Sequence, residues 1–360
     1  MPSAALHYFS GTGNTHRAIT IVGRKLSEAG YTVDTFRVSA GSAQPSGSYD
    51  LNVFAFPVYA TDVPHVMARY LKGLRGGGKA AVIAIYGNLK VEHALNGYEG
   101  WALEHAARIL RGKGFDVVLT DAAGYPESIT MGIDPPPPED QEAIRDVSDR
   151  MIEALAAKLV AGQRSVKPIS FLNRAWTVPF GLAYSTIGRR ALGKMYVADD
   201  RCNGCGKCAR ACPAGAIGLA EKRPRWGFNC EGCQRCINSC PQHAVQTSIV
   251  RLVGVLFLQV ASLVTFIALF FLPYGDYFSD FALGPLEVGR WWVGFAVALA
   301  AWALIFVLLT RYVLDALIWL GERSRMLRPI FTASFTRGYR RYLDPGFDPL
   351  EGQRPGSRRD

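Results

Sequence analysis

Two hydrophobic rhythms alternate through the first 160 residues. Continuous apolar runs, AALHYFS (4–10), LNVFAFPVY (51–59), AAVIAIYG (80–87) and FDVVLTDAAGY (115–125), have the length and two-sided hydrophobicity of strands buried in a parallel sheet. The more polar YTVDTFRV (31–38) suits a strand nearer an edge. Between them a 3.6-residue spacing predicts helices: one from about Thr15 to Ala29, stopped at Gly30, and one from about Tyr98 to Leu110. A further helix opens after PPPPED and carries Ile144, Val147, Met151, Leu155 and Leu159 on one face until Gly162. Five strands with intervening helices predict a doubly wound α/β domain over residues 1–162.

The rhythm then breaks. Residues 163–194 mix Lys167, Arg174, Arg189, Arg190 and Lys194 with Phe171, Trp176, Phe180 and Tyr184, and read as a basic, aromatic linker or as an amphipathic strip at a bilayer surface. A cysteine-rich module follows over 195–248. Beyond it the chain carries 21 uncharged residues from Leu252 to Leu272 and 20 from Trp291 to Thr310, each about the length that crosses a hydrocarbon core of roughly 30 Å. A transmembrane hairpin over 249–320 is expected, its second helix continuing past Arg311 as YVLDALIWL, with an Arg-rich tail over 321–360.

Charge orients this hairpin. The 273–290 connection has Asp276, Asp280 and Glu287 against one Arg, whereas Arg311, Arg323, Arg325, Arg328, Arg337, Arg340 and Arg341 follow the second span. Both termini are therefore expected in the cytoplasm, at the inner membrane, with a short loop outside. MPSAALHYFS has neither a positive n-region nor an apolar h-region, which agrees. The net charge of +10 points to an anionic membrane or an acidic partner, since nothing resembles a nucleic-acid-binding motif. The tail, with Arg alternating with Phe and Tyr, is expected on the anionic inner leaflet or on a membrane partner. All six histidines precede the spans, so bis-histidine haem within the bilayer is excluded. Gln259, Ser262 and Thr265 are the polar side chains amid the first span, expected to hydrogen-bond between helices or to touch a quinone.

All eight cysteines lie between Cys202 and Cys240, as CNGCGKCARACP and CEGCQRCINSCP. Each copy is Cys-x2-Cys-x2-Cys-x3-Cys-Pro, the run of bacterial two-cluster ferredoxins, in which the fourth cysteine reaches the other cluster. Residues 195–248 resemble such a dicluster ferredoxin, an α+β module. By that crossing rule Cys202, Cys205, Cys208 and Cys240 hold one [4Fe–4S] cluster, and Cys230, Cys233, Cys236 and Cys212 hold the second. Disulfides fit poorly without a secretory signal, and zinc fits poorly with eight thiolates in a three-plus-one pattern.

The loop HYFSGTGNTHRA joins the first strand to the first helix, so Ser10, Gly11, Thr12, Gly13, Asn14 and Thr15 can surround a phosphate at a helix N-terminus. It lacks the Lys of a nucleoside-triphosphate loop, and His16 stands where a dinucleotide loop needs its third glycine. FMN remains. The loop resembles the flavodoxin phosphate loop, and the first 160 residues resemble a flavodoxin domain. The resemblance implies a flavin ring between the loops holding Pro57, Val58 and Tyr59 and holding Tyr86, Gly87 and Asn88, with Tyr59 against the ring.

Residues 1–248 as a whole resemble the flavodoxin/ferredoxin fusion family. The expectation is a membrane-anchored iron–sulfur flavoprotein that relays electrons between FMN, two [4Fe–4S] clusters and protein partners, at least one of them at the membrane, with the second cluster on the exit side. The alternatives are a quinone reductase with its quinone in the hairpin, and a flavin-free docking subunit. No second nucleotide fold is seen, so the donor is expected to be a protein and not NAD(P)H.

Overall fold

The computed structural model describes residues 1–93, 97–271 and 285–351. They form two compact units, one built from residues 1–246 with the returning C-terminal segment from Thr336, the other from Thr247–Phe335.

In the first unit the apolar runs become strands: β1 (Ser3–Tyr8), β2 (Thr32–Arg37), β3 (Leu51–Pro57), β4 (Gly78–Asn88) and β5 (Phe115–Pro126). The sheet gains a sixth, β6 (Ser165–Val166), a two-residue edge pairing that the five-strand expectation lacked because such a pairing leaves no hydrophobic signal. All pairs are parallel, in the order β2-β1-β3-β4-β5-β6. Leu6 faces Thr35 on one side and Val53 on the other, and Val53 faces Ala81. The helices are α1 (Asn14–Glu28), α2 (His65–Gly73), α3 (Ala102–Arg111) and α4 (Pro138–Val160). On α4 the buried face is Ile144, Ser148, Ile152, Leu155, Ala156 and Leu159, with Val147 and Met151 at its margin. Ser148 satisfies its buried hydroxyl on the carbonyls of Gly124 and Ile144. His7, stacked on Phe54 within β3, is held neutral because burial lowers its pKa to about 4.

This strand order reverses direction between β1 and β3, and in sheets so wound the ligand crevice lies beyond the strand C-termini at that point. The loops after β1, β3 and β4 leave the sheet there.

The expected linker is helical from Phe171. Ser170 accepts the Asn173 N–H at 3.2 Å and caps α5 (Phe171–Ala183), which runs through a wider turn at 184–188 into α6 (Arg189–Lys194). The cysteine module contains β7 (Tyr196–Ala198), α7 (Lys207–Arg210), β8 (Ile217–Ala220), β9 (Arg223–Trp226), α8 (Arg235–Asn238) and β10 (Val245–Thr247), with β7 beside β10 and β8 antiparallel to β9.

From Thr336 on, the tail does not lie free for a leaflet. Thr336 donates to Gln246 Oε1 at 2.8 Å, Arg340 pairs with Asp134 at 2.9 Å, and the Tyr342 hydroxyl reaches Asn14 Oδ1 at 2.5 Å. Tyr342 and Phe347 are buried, so residues 336–351 are a strap on the chain's own α/β domain. Its aromatic rings bury against protein and its arginines meet carboxylates and carbonyls, a match made by partners about 90 to 330 positions away in sequence. Residues 352–360 lie outside the described part.

The second unit holds α9 (Ile249–Phe271), α10 (Pro285–Leu308), a wider turn at 309–314, α11 (Asp315–Arg323) and α12 (Arg328–Phe331). Ser248 accepts the Arg251 N–H and caps α9. Ile249–Ala268 and Phe295–Arg323 are long and apolar enough to cross a membrane, the second including the expected continuation past Arg311. Residues 273–284 of the expected outer connection lie outside the described residues, and its Glu287 falls on α10. Ser262 and Thr265 donate to Gln259 O and Ala261 O of their own helix, so these hydroxyls are not the interhelical bonds expected: an i−3 or i−4 carbonyl is the nearest acceptor in apolar surroundings. Arg251 forms a buried cluster with Asp315 at 2.7 Å and Glu322 at 3.1 Å, tying the start of α9 to α11.

Candidate functional site

The two cysteine runs fold across one another. Cys202, Cys205, Cys208 and Cys240 line one cavity with Gly204, Gly206 and Pro241. Cys212, Cys230, Cys233 and Cys236 line a second with Pro213, Tyr196 and Trp226. Each cavity thus takes three thiols from one run and the fourth from the other. Backbone N–H groups already address the sulfurs: Ala216 to Cys212 at 3.2 Å, Gly232 to Cys230 at 3.4 Å and Ala244 to Cys240 at 3.3 Å. Among the described residues no three His, Cys, Asp or Glu side chains gather closely enough for a single metal ion. Thiols spread around a cavity fit a cubane, whose iron and sulfide fill the centre, better than one zinc.

The two thiol sets differ in exposure. Cys230 and Cys236 are buried, whereas Cys205 is exposed. Burial pushes the Cys230 and Cys208 thiols up to about 12 and Cys233 to about 11, so a cation must deprotonate them on binding.

Loop 10–15, expected to hold a phosphate, is buried too. Ser10, Thr12, Asn14 and Thr15 are all under one-tenth exposed. Gly13 sits at φ 113° as the residue before α1, where an L side chain is strained, and its N–H donates to Ser10 Oγ at 3.0 Å. Thr12 donates to Ser128 Oγ, and the Asn14 amide donates to Pro126 O at 2.8 Å. Asn14, expected to face a phosphate, is a staple between β5 and Tyr342 of the strap. Thr15 Oγ1 is buried with no hydrogen-bond partner. An orphaned hydroxyl in the first turn of a helix, beside neutral donors, fits a phosphate ester at this loop.

Two neighbours close the loop, and neither was legible in sequence. On one side stands the strap, where the Asp344 N–H donates to Thr12 O at 2.9 Å. On the other stands the second thiol set. A Cβ on Gly11 would run into the Cys233 carbonyl. Arg235, between Cys233 and Cys236 and 2% exposed, donates to Gly11 O at 3.1 Å, to Ser10 O and to Ala211 O at 2.8 Å. It has no carboxylate partner among the described residues. Burial lowers its pKa, and Cys233 opposes that shift. Phe347 lies between Arg235 and Arg37, their guanidinium carbons 5.4 and 4.6 Å from its ring centre. The second set therefore lies against loop 10–15.

The ring-side residues are brought to the same sheet edge. Val58 N–H donates to Ile85 O at 2.7 Å, beside Pro57 at the end of β3. Tyr59 and Asp62 exchange backbone bonds around Ala60 and Thr61, both at positive φ, in a tight turn. Tyr59 lies edge-on to Phe9, and its hydroxyl is 2.9 Å from where a Gly11 Cβ would be, so it packs into the junction with the thiols. The Tyr86 hydroxyl accepts the Gly97 N–H, Gly87 lies against the Glu127 carboxylate, and Asn88 is buried with its carbonyl accepting the Glu127 N–H. Residues 94–96 of this loop lie outside the described part.

Two 4Fe-4S binding domain families match the chain, at residues 194–217 and 228–248. No curated protein matches. Among solved structures, the chain is similar to a flavodoxin from the domain Archaea (16% identity, TM-score 0.29, 44% of this chain and 98% of that one). It is also similar to the Streptococcus pneumonia TIGR4 flavodoxin (19%, 0.27, 43% and 99%) and to flavodoxin 2 from Bacillus cereus (15%, 0.31, 44% and 99%). The chain joins a flavodoxin-like α/β sheet, with its own strand order as the ground for that description, to a pair of 4Fe-4S binding domains.

Proposed function

We propose that the chain is a membrane-anchored electron relay, with FMN on loop 10–15 and one [4Fe–4S] cluster in each thiol set, working between protein partners of which at least one is membrane-associated. The observation that carries this reading is the shared junction: one packed contact joins Gly11 of the phosphate loop to Cys233 of the second set, with Arg235 bonded to both sides. When bound, FMN would supply two-electron capacity and the clusters one-electron steps.

The chain's residues then have separable tasks. Ser10, Gly13 and Thr15 hold the phosphate, the first-turn N–H groups of α1 add to it, and Tyr59 walls the junction. Ala216, Gly232 and Ala244 N–H groups stabilise negative charge on the sulfurs. Arg235 offsets charge on the second set and on the phosphate loop together. The first set, with exposed Cys205, faces the outer partner. The apolar helices and the Arg-rich flank support an inner-membrane, multi-pass placement with both termini cytoplasmic. A quinone reading gains nothing from Ser262 and Thr265, whose hydroxyls are already engaged.

Cysteine replacement tests the order of the relay. Cys236→Ala should remove one cluster signal and leave electrons from reduced flavin unable to reach the first set. Cys208→Ala should remove the other signal while flavin and the second set still exchange electrons. Electron exchange between flavin and the first set in Cys236→Ala, at the rate of the unaltered chain, would contradict the proposed order.

A further inference from the structure

Helix α5 is amphipathic in the wrong sense for a helix facing water. Its buried residues are Thr177 and Gly181: the Thr177 carbonyl accepts the Thr61 hydroxyl at 2.9 Å, and Gly181 lies against Trp101 and Asp62. Its large apolar side chains point the other way. Phe171 is 81% exposed, Leu172 78%, Trp176 59% and Phe180 53%, and Ile187 in the following turn is 70% exposed. At 100° per residue Leu172, Trp176 and Phe180 fall within about a quarter of the circumference of α5, with Ala183 among them.

Charge says what covers this face. From Gln163 to Ala198 the sequence has Arg164, Lys167, Arg174, Arg189, Arg190 and Lys194 and not one Asp or Glu. Arg164, Lys167 and Arg174 are taken up by Asp116, Glu99 and Glu104. Arg190, three residues beyond Ile187, is exposed, as are Arg69 and Lys72 of α2, and among the described residues these three pair with no carboxylate. They gather around His65, whose pKa is lowered to about 4 by burial and by Arg189, Arg69, Arg190 and Lys72. An apolar strip bearing Trp and Phe, flanked by unpaired cations, is the composition that binds the boundary between acyl chains and anionic headgroups.

We propose that residues 171–187 are a second membrane contact, an in-plane helix by which the redox unit itself rests on an anionic leaflet. Leu172, Trp176 and Phe180 enter the acyl boundary, Arg190, Arg69 and Lys72 meet lipid phosphate, and Thr177 and Gly181 hold the helix to the α/β domain. The inference rests on the membrane reading above, and the two can fail separately.

The full-length chain, in nanodiscs holding anionic lipid and a lipid with a photoreactive diazirine just below the headgroup, provides the test, with adducts located by peptide mass spectrometry. Adducts are expected on 171–187 as well as at the ends of the spanning helices. Leu172→Ser/Trp176→Ser/Phe180→Ser should lower labelling of this segment several-fold while iron content stays unchanged, and replacing the anionic lipid with a zwitterionic one should lower it too. Adducts in α9 and α10 with none in 171–187 would overturn this inference alone, showing the face covered by protein. Adducts in neither region would overturn the membrane reading itself. The single variant Trp176→Gln serves if the triple variant loses iron: unchanged labelling in it, with iron retained, would also count against the proposal.

Discussion

Gly11→Val is expected to cost the chain its second cluster and its flavin together, whereas Gly13→Val, two residues on, should cost the flavin and leave the iron. The difference lies in what each Cβ would meet. At Gly11 it would collide with the carbonyl of Cys233, a backbone atom inside a cluster-binding loop that cannot swing aside, and it would stand 2.9 Å from the Tyr59 hydroxyl. At Gly13 it would stand 2.5 Å from Asp344 Cβ and 2.8 Å from Phe347 Cβ, on the strap, with the further strain of φ 113°. Strain of about 1–3 kcal/mol at such a position corresponds to a loss of up to about 100-fold in phosphate-loop affinity. Iron and flavin content of the two variants, purified side by side without air, decides the matter. Full iron in Gly11→Val would mean that the junction does not hold the second set in place.

The second large effect is expected at Arg235. It is a buried cation whose hydrogen-bond acceptors are three backbone carbonyls, two from the phosphate loop and one beside Cys212. A positive charge so placed favours the more negative, reduced form of a cluster in the adjoining thiol set. Arg235→Gln should therefore make the second cluster harder to reduce. At a fixed potential its reduced-to-oxidised ratio should fall about tenfold, a shift of about 59 mV for one electron, with the first cluster unmoved. The three carbonyls also lose their donors, so stability should drop by about 2–4 kcal/mol. Arg235→Lys keeps the charge without the planar fork and should recover most of the potential but less of the stability. An EPR-monitored redox titration separates the two clusters. Equal shifts in both, or a shift only in the first, would show that Arg235 does not act on the second set.

The parts of this molecule that could be read along the chain are those with short-range signals. Four long apolar runs became β1, β3, β4 and β5, and a Gly-rich loop became the turn into α1. The cysteine spacing placed three thiols of each run around one cavity, and the crossing rule placed the fourth. The junction was hidden. Nothing local marks the Arg of CQRC as the partner of Ser10 and Gly11, 225 and 224 positions earlier. Nor does anything local tell that Tyr342 closes on Asn14 across 328 positions, so an Arg-aromatic tail resembled a lipid ligand. The helix at 171–183 was hard to read for a different reason. Its large apolar residues are exposed and its small ones buried, so the periodicity that announces a water-facing helix is inverted there.

Flavin and iron content of the unaltered full-length chain, purified in detergent without air, decides whether loop 10–15 holds FMN beside two clusters. FMN at about one per chain with about eight iron atoms, as two cubane clusters require, is the expected result. Eight iron atoms with no flavin would contradict it: loop 10–15 would then be a turn that supports the second thiol set, and the chain a membrane-tethered ferredoxin carrying an α/β docking domain.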